Sequence, residues 1–176
     1  MTSDRAHGAI TLEPPDERYL ESYFEALAEF KSEGSIYMPA ELTPEQFPAY
    51  VQRLHDQSLG KGLPEGHLPS KEFWMVDPDG FAGRIILGLT YIPGPTRVGN
   101  HVGYAVRPRK RQKGYATHAL SLLIDEASAL GIQVLMPTCG RDNLASRKVI
   151  EKNGGVLILG DDGEGEFRFE LRIRTT

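Results

Sequence analysis

Apolar positions recur along the chain with two periods, and the switches between them mark the elements. Near the start Ala9-Ile10-Thr11-Leu12 alternates and predicts a short strand, which Pro14-Pro15-Asp16 stops. Tyr19, Leu20, Tyr23, Phe24, Leu27 and Phe30 then recur at spacings of three and four, the period of an amphipathic helix that runs to about Gly34. This aromatic stripe suits either core packing or one wall of a binding pocket. Thr43-Pro44-Glu45-Gln46 reads as a second helix start, with a capping threonine, proline at the first position and acid and amide in the first turn. Tyr50, Val51 and Leu54 continue its apolar face. Gly60 to Ser70 is rich in glycine and proline and predicts a loop, either a cover over a site or a plain connection.

From Glu72 onward strands dominate. Glu72-Phe73-Trp74-Met75-Val76 has the aromatic and β-branched content of a strand, Asp77-Pro78-Asp79-Gly80 is a turn, and Phe81 to Tyr91 returns as the second arm of a hairpin. Pro93-Gly94-Pro95 ends that arm, and Asn100 to Val106 is the next strand. A long helix from Ala116 to Leu130 gathers Ala119, Leu120, Leu123, Ile124, Ala127 and Leu130 on one face, with Gly131 closing it. Ile132 to Cys139 is a strand with Pro137 inside it, and proline there marks an edge, an end or a bulge. Asp142-Asn143 opens another helix that Gly154-Gly155 ends. Val156–Leu159 and Phe167–Ile173 are final strands around Asp161-Asp162-Gly163-Glu164-Gly165. Hairpin strands followed by strand–helix alternation predict an α/β (α+β) fold, a mixed sheet with helices on both faces.

The 176 residues fit a single domain, residues 1–176, and 40% hydrophobic content allows a real core. Twenty basic against 24 acidic residues give a formal charge of −4, which argues against general nucleic-acid binding. The one cysteine, Cys139, excludes an intramolecular disulfide and fits a reducing compartment. Met1 to His7 is polar with no apolar stretch after it, and no apolar run reaches the ~20 residues of a membrane helix. A cytoplasmic protein is expected. Against this acidic background the run Arg107-Pro108-Arg109-Lys110-Arg111-Gln112-Lys113-Gly114 stands out, set between a strand and a helix. It is either a solvated loop or an anion site. Free amides at the helix start, the helix dipole and a glycine that admits close approach favour the anion site.

Arg111-x-x-Gly114-x-Ala116 after a strand resembles the acyl-CoA pyrophosphate loop of the GNAT superfamily of N-acetyltransferases. Asn143-Leu144-Ala145-Ser146-Arg147-Lys148-Val149-Ile150-Glu151-Lys152-Asn153-Gly154-Gly155 resembles that family's later helix, and more narrowly a branch of predicted acetyltransferases. The resemblance covers about Phe73 to the C-terminus. It implies a mostly antiparallel sheet of six or seven strands, with a splay between Asn100–Val106 and Ile132–Cys139. It also implies acetyl-CoA as co-substrate, direct attack by a primary amine on a small molecule or peptide, no metal, and a homodimer as in many relatives. Backbone amides from Gln112 through Lys113, Gly114 and Tyr115 to Ala116, with Thr117 beyond, would hold the diphosphate, helped by the charges of Arg111 and Lys113. Tyr104, Ala105 and Val106 would pair with the pantetheine arm as an added strand does, with Asn143 and Ser146 opposite. Asn143 fits a helix N-cap equally well.

The general base is less determined. His101 titrates in the useful range and lies on the strand leading to the loop. Glu72 could act through water, and Glu33 and His67 are weaker candidates on flanking segments. Many relatives carry a proton-donating tyrosine where this chain has Ile150, and the next aromatic position is Gly155. Tyr104 or Cys139 could substitute, or the thiolate could leave unaided; a lone cysteine in a strand is more often packing. The gap at Ile150 motivates an alternative, a CoA-binding regulatory or interaction module with degenerate catalysis. A nucleotide P-loop is disfavoured, because Gly114 is not followed by Lys and Ser or Thr. A ring of carboxylates in the acceptor cavity would indicate a polyamine or aminoglycoside, and an open groove a peptide; a charge of −4 does not decide this.

Overall fold

The computed structural model describes residues 10–39, 41–92, 98–99, 101–159 and 165–173. Pro93-Gly94-Pro95, Asn100 and residues 161–164 of the last predicted turn lie outside them. In chain order the strands and helices are β1 (Thr11–Glu13), α1 (Leu20–Ser32), α2 (Phe47–Ser58), β2 (Ser70–Asp77), β3 (Gly80–Gly88), β4 (Tyr91–Ile92), β5 (Val98–Gly99), β6 (Val102–Val106), α3 (Tyr115–Ala129), β7 (Val134–Leu135), β8 (Thr138–Gly140), α4 (Leu144–Lys152), β9 (Val156–Leu159) and β10 (Glu166–Arg172). The stretch 35–70, hardest to read from sequence, holds α2 on the start signal at Thr43, whose amide donates to Gln46 Oε1 at 3.1 Å.

Pairing is antiparallel throughout the described strands. One sheet runs β1-β2-β3-β6, and a second is built on β10, with β7 and β8 along one edge and β9 along the other. β4 and β5 form a separate pair. The ten strands among the described residues exceed the six or seven expected, because β4 and β5 form a pair of their own and the segment Ile132–Cys139 is broken. Pro137 interrupts it into β7 and β8, yet its carbonyl still accepts the Phe169 amide at 3.0 Å, so both halves stay on β10. Among the described residues no pairing joins β6 to β7 or β8. The ladder parts where the splay is expected.

Period-2 alternation sends side chains to opposite faces of the first sheet. Phe73, Met75, Ile85 and Leu87 meet Ala119, Leu120 and Leu123 of α3 on one face, in a core that also takes in Leu135, Cys139, Ile150 and Phe169. Trp74, Val76 and Phe81 meet Tyr23, Phe30, Phe47 and Tyr50 of α1 and α2 on the other. The aromatic stripe of α1 is thus core. Tyr23 and Phe47 lie 5.0 and 5.9 Å from Trp74, centroid to centroid. The hairpin turn is tied to α1 as well. The Phe81 amide donates to Ser22 Oγ at 3.0 Å, and a side chain at Gly80 would collide with that oxygen. Gly131 closes α3 as expected: it donates to Ser128 and Ile132 donates to Ala127, each at 2.9 Å.

Trp74 is fully buried at the centre of the second core. Trp74→Ala is expected to cost about 3–5 kcal/mol, read by urea unfolding followed by circular dichroism. A loss below about 1 kcal/mol would contradict this packing.

Candidate active site

The loop between β6 and α3 carries the cations, and most of them turn inward. Arg107 is 0% exposed and donates from Nη2 to Glu25 at 2.8 Å and from Nε to Glu29 at 2.9 Å. Its amide bonds the Ala82 carbonyl at 2.9 Å. Arg109 reaches the same two acids, and Arg111 makes a bidentate pair with Glu33 at 2.6 and 2.8 Å. Glu25, Glu29 and Glu33 sit four residues apart on and just past α1, so they form one stripe facing the loop. The Arg107 hydrogen bond holds the Glu25 carboxyl below the usual range.

Lys110 turns to the other side. Its Nζ lies 2.7 Å from Asp77 and 2.5 Å from Asp79 in the β2–β3 turn, and Asp77 also accepts Tyr115 Oη at 2.8 Å. Burial alone would lower the Lys110 ammonium, but these two acids outweigh it and hold it above its ordinary value. Lys113 is exposed and has no acidic partner among the described residues. The spacing of acids on α1 was the one sequence signal that the arginines are structural.

With those side chains spoken for, the loop presents its backbone. Gln112 (φ 61°) and Gly114 (φ 81°) are both left-handed, and α3 starts with no side-chain cap. The first amide to find a partner is that of His118, which donates to the Gly114 carbonyl at 3.0 Å. Among the described residues the six amides from Gln112 to Thr117 make no hydrogen bond. Successive free amides at a helix start form an anion cradle. A groove of about 420 Å³ adjoins them, lined by Gly114, Thr117, His118, Ser121, Lys152 and Asn153. Asn153 Nδ2 bonds the Thr117 carbonyl at 3.2 Å, tying the end of α4 to α3; Lys152 and Asn153 were not among the expected site residues.

β6 leads to this cradle with one edge free. Its odd-numbered residues bond β3: His101 accepts from the Gly88 amide and Arg107 donates to Ala82, both at 2.9 Å. By that parity the backbone groups of Ala105 point to β3, while those of Tyr104 and Val106 point to the gap. Arg111 Nε takes the Val106 carbonyl at 3.1 Å, which leaves the Val106 amide open. Tyr104 Oη lies 2.6 Å from Ser146 Oγ and 3.2 Å from the Ser146 carbonyl, bridging the gap to α4. Burial, partly offset by Ser146, pushes its phenol up to about 12. Asn143 caps α4 by accepting the Ser146 amide at 3.0 Å. Ile150 is buried in the core, where its methyl fills the space a side chain at Gly155 would need. Cys139 is buried, and that burial pushes its thiol up.

His101 packs beside Gly88 on the β3 face of β6 and remains exposed at its edge. Partial burial lowers its imidazole from the ordinary 6.5. Glu72 is buried, receives Trp74 Nε1 at 3.0 Å and Arg84 Nη1 at 3.2 Å, and is raised by burial despite Arg84. It is two strands from β6, roughly 9–10 Å. Glu33 is engaged by Arg111, and His67 sits exposed on the Gly60–Ser70 segment.

A strand whose free edge runs into uncapped amides beside a parted sheet has a known counterpart. The model of the GNAT acetyltransferase domain matches residues 9–156, most of the chain. The chain belongs to the GNAT acetyltransferase family. Its chemistry is therefore acyl transfer, with acetyl-CoA as co-substrate. Solved GNAT structures share the fold at low identity. The microcin C7 self-immunity acetyltransferase MccE, in complex with acetyl-CoA and AMP, superposes with TM-score 0.69 at 19% identity over 93% of this chain and 92% of that one. RimL, the ribosomal L7/L12 alpha-N-protein acetyltransferase in complex with coenzyme A, gives 0.69 at 16% over 93% and 94%. Mycobacterium smegmatis RimJ in complex with CoA-disulfide gives 0.71 at 18% over 94% and 83%. No protein of curated function matches by sequence. No helix among the described residues is long and apolar enough to cross a membrane.

The inward arginines make a contrast that can be measured. Arg107→Met is expected to lose about 2–3 kcal/mol in urea unfolding, below the cost of a fully enclosed pair because Glu25 and Glu29 reach water. Arg109→Met, half exposed, is expected to lose under about 1 kcal/mol. Equal losses would contradict a structural role specific to Arg107.

Proposed function

We propose that residues 1–176 form one cytoplasmic N-acetyltransferase, which moves the acetyl group of acetyl-CoA to a primary amine by direct attack. The observation that carries this reading is the row of six free amides from Gln112 to Thr117 beside the free edge of β6. The amides and Lys113 hold the diphosphate. The edge groups of Tyr104 and Val106 align the arm, with Asn143 and Ser146 across the gap. Thr117, Lys152 and Asn153 line the space beyond.

His101 is proposed as the base. Lowered from 6.5, it is neutral at pH 7 and ready to accept a proton. The amine nitrogen bonds to the thioester carbonyl carbon as His101 takes its proton. The Val106 amide faces the oxygen that gains charge. The C=O bond then re-forms, the C–S bond breaks, and the thiolate leaves with the electron pair. It takes its proton from the imidazolium or from water. Tyr104, pushed up to about 12, is too weak an acid to supply that proton to a thiolate of ordinary pKa near 8.5 and serves as a tether instead.

Thiol release from acetyl-CoA in the presence of pooled amines tests the activity. Coenzyme A binding without any thiol release would favour the non-catalytic module. Gly114→Val forces a β-branched residue into left-handed backbone and screens the amides, so calorimetry should show acetyl-CoA binding abolished. Arg111→Ala should weaken binding less than tenfold, because the backbone donors remain and Glu33 already neutralises that guanidinium. His101→Gln should lower kcat by about 10²–10⁴-fold. The activity of the wild type should rise with pH through a value below 6.5, where His101 loses its proton, and this limb should vanish in the variant. A retained limb would move the role to another group such as Glu72.

A further inference from the structure

A second cavity, of about 380 Å³, lies on the α1–α2 face of the first sheet, between α2, residues 36–39 and strands β2 and β3. Ile86 in its lining pairs with Gly103 of β6, so the cavity opens one strand away from the edge that holds the thioester. Its position makes it the place for the acceptor. No ring of carboxylates surrounds it. Among the described residues Glu72 is the one acid in the lining, and it is already held by Trp74 and Arg84.

Two guanidiniums line the same space. Arg84 uses one nitrogen on Glu72 and, among the described residues, keeps its other donors. Arg53 is exposed, stacks over the Tyr50 ring at 5.2 Å and has no acidic partner among the described residues. Two cations against one committed carboxylate repel a polyamine and attract an anion, for which the guanidinium fork supplies paired donors. The rest of the lining is mixed, with Gln57 and Ser70 polar and an apolar part on the side of residues 36–39. Ile36 and Tyr37 are 89% and 59% exposed at its rim, with Met38, Leu54 and Ile86 beneath. Exposed large apolar side chains at the rim of a cavity mark a contact surface. The volume lies near the bottom of the range for small-ligand sites.

We propose that the acceptor is a small amine bearing an anionic group, a carboxylate or phosphate, beside an apolar portion. Arg53 and Arg84 bind the anion, Ile36 and Tyr37 cover the apolar part, and the amine points toward β6. This rests on the acyl-transfer reading above and adds the acceptor class to it.

Matched acceptors test it: phenylalanine against phenethylamine, and phosphoethanolamine against ethanolamine, each with acetyl-CoA and thiol release as the readout. The anionic member of at least one pair should show kcat/KM at least about tenfold higher, equivalent to ~1.4 kcal/mol. The pair that responds identifies the anion. Arg53→Gln should raise the KM of that acceptor about tenfold, with Arg53→Lys restoring part of the loss and acetyl-CoA affinity by calorimetry unchanged. Equal turnover within both pairs, preference for the uncharged members, or unaltered selectivity in Arg53→Gln would overturn the proposal. So would acetylation of a peptide N-terminus in preference to every small amine, or thiol release with other amines but with neither anionic amine. Failure of the acyl-transfer reading looks different: the wild type would release no thiol with any amine, pooled or single, whether or not it binds coenzyme A.

Discussion

The guanidinium of Arg107 is the constraint from which the site is built. A fully buried cation is tolerated only where acids and carbonyls surround it, and here Glu25 and Glu29 do so from α1 while Phe81 offers its carbonyl. The pair therefore fixes α1 against the end of β6. Lys110 and Tyr115 repeat the device on the far side by meeting Asp77 in the β2–β3 turn. The loop is held at both flanks by side chains, and what lies between is free to present backbone.

In the site we propose, this division lets a loop with five cations hold an anion without relying on their charge. A salt-bridged guanidinium offers little net field, and Arg111 is such a group. Amide dipoles at a helix start are directional, fixed and not titratable. Left-handed turns at Gln112 and Gly114 aim them. The cations hold the loop at its flanks, and in the proposed site the amides between them face the ligand.

Much of this was legible in the chain. The hairpin and the long helix with its glycine stop follow from period and turn chemistry, and the parted strands were implied by the family resemblance that the Arg-x-x-Gly-x-Ala pattern carries. The partners of the arginines were not, because a charge run carries no record of what it faces; the acids at 25, 29 and 33 pointed to it only once α1 was placed against the loop. Pro137 announced an irregularity but not that β10 would bridge both halves of the broken strand. The cavity proposed for the acceptor was illegible for a different reason. Its lining comes from four stretches between Ile36 and Ile86, and no local pattern encodes their meeting.

β6 joins the two halves of the chemistry through the alternation of a single strand. Odd residues hold β3 and place His101, Gly103 and Ala105 on the face shared with Arg84 and Ile86, where the cavity proposed for the acceptor lies. Even residues turn their amides to the gap and send Tyr104 toward α4. A shift of one residue in the β3–β6 register would exchange these sets, pointing Tyr104 at the acceptor and moving the free amides onto the wrong residues. Arg107, directly after the strand, opposes that slip because its amide and its guanidinium both bind the β3 end of the hairpin and α1. The buried ion pair thus sets the register, and the register decides which edge can meet a thioester and which face can meet an amine.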